Sequence, residues 1–307
     1  MIQKIPLWRQ AGFRLFLMVL PFLVLVFILA YLPLYGWVYA FFDYKPGMTF
    51  AEMPYAGLKY FKKLVQDKYA ILDIFRVLKN TFAMNFLGYL FSPLAMLFAI
   101  FLSEIRSRKY QKTIQTVTTF PHFISWVLVY AMAFAMFSVN DGLVNKIVLR
   151  LGLIDKGINF LINPDYSWLK MTLWQLWKGL GWSAIIYFAA LSGIDPELYQ
   201  SAMIDGAGRS RMIWHITIPQ LMPTYFVLLI LSIASFLSTG MECYYIFSNP
   251  MNKAYLEVLD LYVYNQGIAG YNYPYSIAVG MLKSLVSIVL LFSANKLSVV
   301  IRQEGIV

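Results

Sequence analysis

Residues 15 to 42 contain no lysine, arginine, aspartate or glutamate. A helix crosses a bilayer in roughly 20 apolar residues, whereas the apolar core of a cleaved signal peptide is only about 7 to 15 residues long. The run is therefore expected to be a retained membrane helix, bent at Pro21, Pro33 and Gly36. The pattern recurs. Asn80 to Ser103 is uncharged between Lys79 and Glu104, and 113 to 140 is uncharged with Pro121 and His122 near its start. Three further apolar stretches lie at about 171 to 192 (with Lys178 inside), 223 to 247 (with Glu242 near its end) and 277 to 300. Charged residues are 13% of the chain, half of the about 25% usual in soluble domains. Mean hydropathy is +0.63. The expected fold is an all-α integral membrane protein, because helices satisfy their own backbone in lipid. It is read as a single transmembrane domain over 1–307, with spans at about 15–42, 80–103, 117–140, 171–192, 223–247 and 277–300.

The net charge of +10 points to loops beside anionic lipid, since no soluble basic, aromatic-rich segment suggests nucleic acid. With the N-terminus inside, the inner segments hold Lys4, Arg9, Arg14, Arg106, Arg108, Lys109, Lys112, Arg209, Arg211, Lys296 and Arg302. The first outer loop holds Lys45, Lys59, Lys62, Lys63, Lys68, Arg76 and Lys79. These outer basics spread through an amphipathic stretch around Leu58 to Leu72, expected to lie as a helix on the outer surface. Cys243 is the single cysteine, so no internal disulfide is possible. His122 and His215 stand alone, and no metal site is expected.

Between the fourth and fifth spans lies a polar island, 195 to 222. Asp195 is a good N-cap and Pro196 suits the first helical position, so a short helix is expected from Pro196 to about Ile204. Asp205, Gly206 and Gly208 end it. Ser210 is expected to cap a second short helix, closed from beyond its end by Pro219.

The spacing within this island carries a resemblance. Gln200-Ser201-Ala202, Gly206 after three intervening residues, and Ile216-Thr217-Ile218-Pro219 after nine more resemble the EAA loop of ABC importer membrane subunits. Asp205-Gly206-Ala207, Pro223 and Gly193-Ile194-Asp195-Pro196 look like the carbohydrate branch. Gln200, Ser201 and Ile218 depart from the usual glutamate, alanine and leucine. Short strings elsewhere (Gly57-Leu58, Leu78-Lys79-Asn80-Thr81, Pro121 to Trp126, Trp214-His215-Ile216) resemble permeases of oligosaccharide and polysaccharide importers, in the same order. The resemblance implies a type I importer permease in the cytoplasmic (inner) membrane, with six spans, both termini cytoplasmic and the island as its coupling loop. It also implies a second permease subunit, two ATP-binding cassette subunits that bind ATP and magnesium, and an extracytoplasmic sugar-binding protein. Glu197, Gln200, Ser201, Ala202, Asp205, Gly206, Ala207, Ile216 and Pro219 are the implied ATPase-coupling residues.

The residues themselves agree with a non-catalytic role. No G-x-x-x-x-G-K-[ST] loop is present, nor any Gly-Lys pair, so this chain is expected to bind no ATP in that manner and no cofactor of its own. Leu198, Ala202 and Met203 give the island's first helix an apolar face suited to a partner groove. On the fourth span, Gln175, Lys178, Gly179 and Trp182 share one stripe. Ser232, Ser235, Thr239 and Glu242 share another on the fifth, and Gly280, Ser284 and Ser287 a third on the sixth; such small residues also let helices approach closely in lipid. A lysine inside a span marks a functional or paired position, unless it snorkels to an interface. Gln175, Lys178, Trp182, Tyr187 and Glu242 are the expected substrate-path residues, because aromatic faces with amide and charged hydrogen-bonders suit sugar rings. Competing readings are a permease for a non-sugar solute, an ion-coupled secondary transporter, which would show a repeat and intramembrane acids, and a membrane-embedded glycosyltransferase, which would need acidic loop motifs.

Overall fold

The computed structural model describes residues 11–302, apart from a few side chains in its terminal helices. Among these residues helices dominate, and the only extended pairing is an isolated bridge between Phe42 and Tyr55. The helices are α1 (Ala11–Val26), α2 (Lys59–Gln66), α3 (Lys68–Phe91), α4 (Pro93–Ser103), α5 (Arg108–Thr119), α6 (Trp126–Phe137), α7 (Leu143–Arg150) and α8 (Ser167–Ser192). They continue with α9 (Pro196–Ile204), α10 (Arg209–Met212), α11 (Ile218–Ala234), α12 (Glu242–Phe247), α13 (Lys253–Leu256), α14 (Leu259–Tyr264) and α15 (Tyr273–Arg302). They fall into two compact units. One comprises the residues up to Asp67 together with Val263–Leu282; the other runs from Lys68 to Tyr262 and resumes at Lys283.

In the first unit, α1 gives way to a π-helical turn at Phe27–Tyr31 and a 3-10 segment at Leu32–Phe41. The expected bending thus takes the form of a change of helix type, with Pro33 in the first turn of the 3-10 segment. The surface stretch expected around 58 to 72 divides. Lys59–Gln66 is a separate amphipathic helix, α2, tied to the end of the first span through Asp43. That carboxylate accepts from Lys59 Nζ at 2.9 Å and from the Tyr60 hydroxyl at 2.6 Å.

In the second unit, Asp67's break is followed by a helical run from Lys68 to Ser103, formed by α3 and α4. Its 36 residues rise about 54 Å, so it extends well past a hydrocarbon core of about 30 Å. The span expected at 80–103 is the C-terminal two-thirds of this run. Val77, Asn80, Thr81 and Met84 form its buried stripe. Asn80 Nδ2 donates to the carbonyls of Ala254 and Glu257, and its Oδ1 accepts from Trp168 Nε1. Leu259 N donates to Thr81 Oγ1. Polar side chains on an otherwise apolar helix are thus satisfied between helices.

The third expected span, 117–140, is broken. Arg108–Phe123 and Trp126–Phe137 meet at 103°. The 12 residues of α6 rise about 18 Å and are too short to cross alone. The fifth expected span, 223–247, is displaced: one helical run extends from Arg209 to Ala234, and Ser235–Met241 separates it from α12. Among the described residues four helices are long and apolar enough to cross a membrane: Leu15–Phe41, Lys68–Ser103, Arg209–Ala234 and Tyr273–Lys296. The bent pair, taken as one span, is a fifth. The 26-residue α8 has the length but less apolar character, carrying Lys170, Gln175 and Lys178.

α8 is the hub of this unit. Ala95, Met96, Ala99 and Ile100 of α4, Ala184 and Tyr187 of α8, and Leu221 of α11 form a buried cluster. Alanines at these contacts let the helices approach closely.

Candidate functional site

The elbow between α8 and α11 forms from local signals. The Asp195 side chain accepts from the Glu197 amide at 2.9 Å, capping α9, with Pro196 at its first position. Gly206 ends α9 with φ +75°, and two bonds close the turn: Gly206 N to Met203 O and Ala207 N to Ala202 O. This is a Schellman ending, which satisfies carbonyls a helix terminus leaves free. Gly208, not Ser210, occupies the cap position of α10. Pro219 does not end the second helix. α10 runs through a π-turn, Ile213–Thr217, into α11, and Ile218 N bonds back to Ile213 O. The wider turn separates the proline ring from carbonyls it would strike in a regular helix. The Tyr199 hydroxyl and Thr217 Oγ1, 3.0 Å apart, tie α9 to this turn.

The expected coupling residues therefore sit together. Glu197, Gln200, Ser201 and Ala202 are on α9, Asp205, Gly206 and Ala207 form the bend, and Ile216 and Pro219 lie in the following turn. No residue of α9 is buried. Leu198 and Met203 are exposed and Ala202 is half-buried. Ile204, 86% exposed, and Trp214 are further exposed apolar side chains of the elbow. Neither belongs to the spacing that marks the loop; Ile204 stands next to the bend, and Trp214 falls in the Trp214-His215-Ile216 string of the resemblance.

A cavity of about 550 Å³ lies between α3, α4, α8 and α11. Gln175, Gly179, Trp182 and Tyr187 line it from α8, Ser232 from α11, Ser235 from just past its end, and Ser92 from the α3–α4 junction. No charged side chain lines it. Of the expected substrate-path residues, Gln175, Trp182 and Tyr187 reach this cavity. Gln175 Nε2 donates to the Tyr244 hydroxyl at 2.8 Å, so α12 fixes its orientation. Tyr187 is 4% exposed and belongs mainly to the buried cluster. Ser92, Thr172 and Ser183 also line the cavity; scattered serines and threonines carry no sequence signature of their own.

Lys178 and Glu242 do not line it. Lys178 points to the break after α5, where Nζ donates to the carbonyls of Pro121 at 3.3 Å and His122 at 2.5 Å and lies over the Trp126 ring. A cation at the C-terminal end of a helical segment is favoured by the carbonyls gathered there. Its charge is thus met by two backbone carbonyls and a ring face, and these contacts tie α8 to the bend. Three residues further along α8, Gly181 packs so tightly on α5 that a Cβ would overlap the Thr118 carbonyl oxygen. Trp182 then stacks face to face on His122, with centroids 4.4 Å apart and planes 2° apart, while Phe123 meets it at an edge. Glu242 opens α12, exposed and away from the cavity. Asp260 is engaged instead, paired with Lys283 of α15 and accepting the Gly240 amide at the break after α11. Asp260 falls between the fifth and sixth expected spans, outside the helical stripes that the sequence offers.

The sequence matches the family described as binding-protein-dependent transport system inner membrane component over residues 91–299. It is 40% identical over 293 residues to Protein LplB of Bacillus subtilis (strain 168), covering 95% of this chain and 90% of that protein. It is 38% identical over 295 residues to the polygalacturonan/rhamnogalacturonan transport system permease protein YteP of the same organism, covering 95% and 89%. The backbone matches a chain of a bacterial ABC transporter involved in the import of the acidic polysaccharide alginate, with a TM-score of 0.82, 32% identity, and coverage of 94% of this chain and 96% of that one. A crystal structure of bacterial alginate ABC transporter in complex with alginate pentasaccharide-bound periplasmic protein contains a chain matched at a TM-score of 0.83. The fold is thus that of a type I ABC importer permease, and this chain belongs to the family of inner-membrane components of binding-protein-dependent transport systems.

Proposed function

We propose that this chain is one permease subunit of an ATP-driven importer that moves an oligosaccharide or polysaccharide fragment into the cell. The observation that carries this reading is the single helical run from Arg209 to Ala234. It begins at the elbow and ends at Leu231, Ser232 and the cavity wall. A displacement of the elbow would therefore reach the cavity as a rigid-body movement. The exposed surface of Leu198, Met203, Ile204 and Trp214 offers an apolar face for a groove on a separate ATPase, which would supply ATP and magnesium. A second permease, a pair of ATPase subunits and an extracytoplasmic sugar-binding protein complete the assembly. The elbow then lies in the cytoplasm, and both termini with it. The uncharged cavity, with hydroxyls, an amide and an indole, suits sugar hydroxyls and ring faces, and names such as YteP's support a carbohydrate cargo.

The assembled complex in proteoliposomes should hydrolyse ATP faster when the binding protein is loaded with a polygalacturonan fragment or alginate pentasaccharide. Stimulation by a non-sugar solute alone would overturn the carbohydrate assignment, and stimulation by neither would overturn the importer reading.

A further inference from the structure

The proposed function leaves unexplained why the helical pair α5–α6 breaks at Ile124–Ser125 and why Lys178 of α8 is directed there. The break presents His122 as a flat face against Trp182. Trp182 is held on one face by His122 and at an edge by Phe123, yet stays 46% exposed and lines the cavity. His122 has little freedom of its own. Its carbonyl is bound by Lys178 Nζ, and its neighbour Pro121 is buried. α8 and the break therefore meet twice within one helical turn, once through Lys178 and once through Trp182. An indole on a helix can rotate about two side-chain torsions, and a stacked partner removes that freedom.

We propose that His122 is a positioning residue for sugar recognition: it fixes the plane in which Trp182 faces the cavity. The inference rests on the carbohydrate reading above. A pyranose ring stacks on an indole through its C–H face, and the alignment of that face decides which ring substituents meet Gln175 and the serines. His122 itself touches no substrate. Its contribution is the flatness of the imidazole, not its volume or its proton.

Three substitutions separate these properties in the assembled complex. His122→Phe keeps a flat ring, His122→Leu keeps bulk without a plane, and His122→Ala removes both. The readout is ATP hydrolysis in proteoliposomes against concentration of binding protein loaded with alginate pentasaccharide or polygalacturonan fragment. His122→Leu and His122→Ala should raise the half-saturating concentration on the order of fivefold, the scale of one misplaced aromatic contact, while the maximal rate holds. His122→Phe should stay within about twofold of the unsubstituted complex. In a Trp182→Ala background, His122→Leu should have no further effect, because it acts only through the indole. Equal behaviour of the Leu and Phe variants, a loss confined to the maximal rate, or additive losses with Trp182→Ala would each overturn the proposal while leaving the carbohydrate reading intact. A wild-type complex unstimulated by either sugar would overturn both.

Discussion

Three glycines and one carboxylate show how much a single residue decides. Gly206 has φ +75° and open space where a Cβ would stand, so its cost on substitution is conformational and not steric within this chain. A side chain in that geometry costs about 1–2 kcal/mol, which shifts the elbow's native population roughly tenfold. Gly206→Val should therefore lower transport and sugar-stimulated ATP hydrolysis together while expression and membrane insertion hold; normal stimulated hydrolysis would remove the elbow from the coupling role. Gln200→Glu, which restores the residue usual in the resembling loop at an exposed position, should be tolerated in the same assay. Gly181 is the opposite case, an ordinary helical backbone with no room. Gly181→Ala should force α8 away from Thr118 and destabilise the purified protein by about 1–3 kcal/mol. Gly179→Ala, two positions away with nothing near its Cβ, should melt at or slightly above the wild-type temperature. Asp43, just beyond the first span, is held below the usual carboxylate range, chiefly by the Tyr60 hydroxyl and then by Lys59. A depressed carboxylate contributes stability above its unfolded pKa, about 4, and loses it as pH falls through the folded value. Asp43→Asn should therefore lower thermal stability at neutral pH, and the gap to wild type should close below about pH 4; a gap independent of pH would mean that the carboxylate's charge is irrelevant.

At the scale of elements, legibility followed the range of the signal. The α9 cap and its glycine ending are set within a few residues, and Asp195-Pro196 and Asp205-Gly206 announce them in the sequence. Pro219 carries an equally local signal, but its meaning depends on the register before it. The π-turn at Ile213–Thr217 changes that register, and the helix continues. The break at Ile124–Ser125 was hidden for a different reason. Hydropathy averages over a window, and the residues around Pro121 are uncharged on both sides; only Lys178, 57 positions away, reveals that carbonyls are free there. The same logic explains the substrate-path residues. Tyr187 reaches the cavity as an aromatic of α8, while spacing placed Gln175 and Trp182 toward it, because helical periodicity is local. It also placed Lys178 on their stripe, and only the neighbouring helix turned that side chain elsewhere. Glu242 shared a helical stripe with Ser232 and Ser235 only if α11 ran on past Ala234, which it does not.

For the whole molecule, membrane topology depends on how two atypical segments are counted. Among the described residues four apolar helices are long enough to cross, and the bent α5–α6 pair and the polar α8 decide the rest. If the pair crosses once and α8 crosses once, the α4–α5 turn and the elbow share the cytoplasmic side, while α7 and α13 lie outside. If the pair instead enters and returns, every later segment inverts, and the elbow would face away from any cytoplasmic ATPase. Single cysteines at Arg106, Arg150, Asp205 and Lys253, all at exposed positions, distinguish the two. The native Cys243 is buried and would be replaced by alanine to leave one thiol per variant. A membrane-impermeant maleimide applied to intact cells should label positions 150 and 253 and spare 106 and 205, which become reactive only after permeabilisation. Labelling at 205 with protection at 150 would make the bent pair re-entrant. The elbow would then have no access to ATPase subunits in the cytoplasm, and the coupling assignment would fall with the topology.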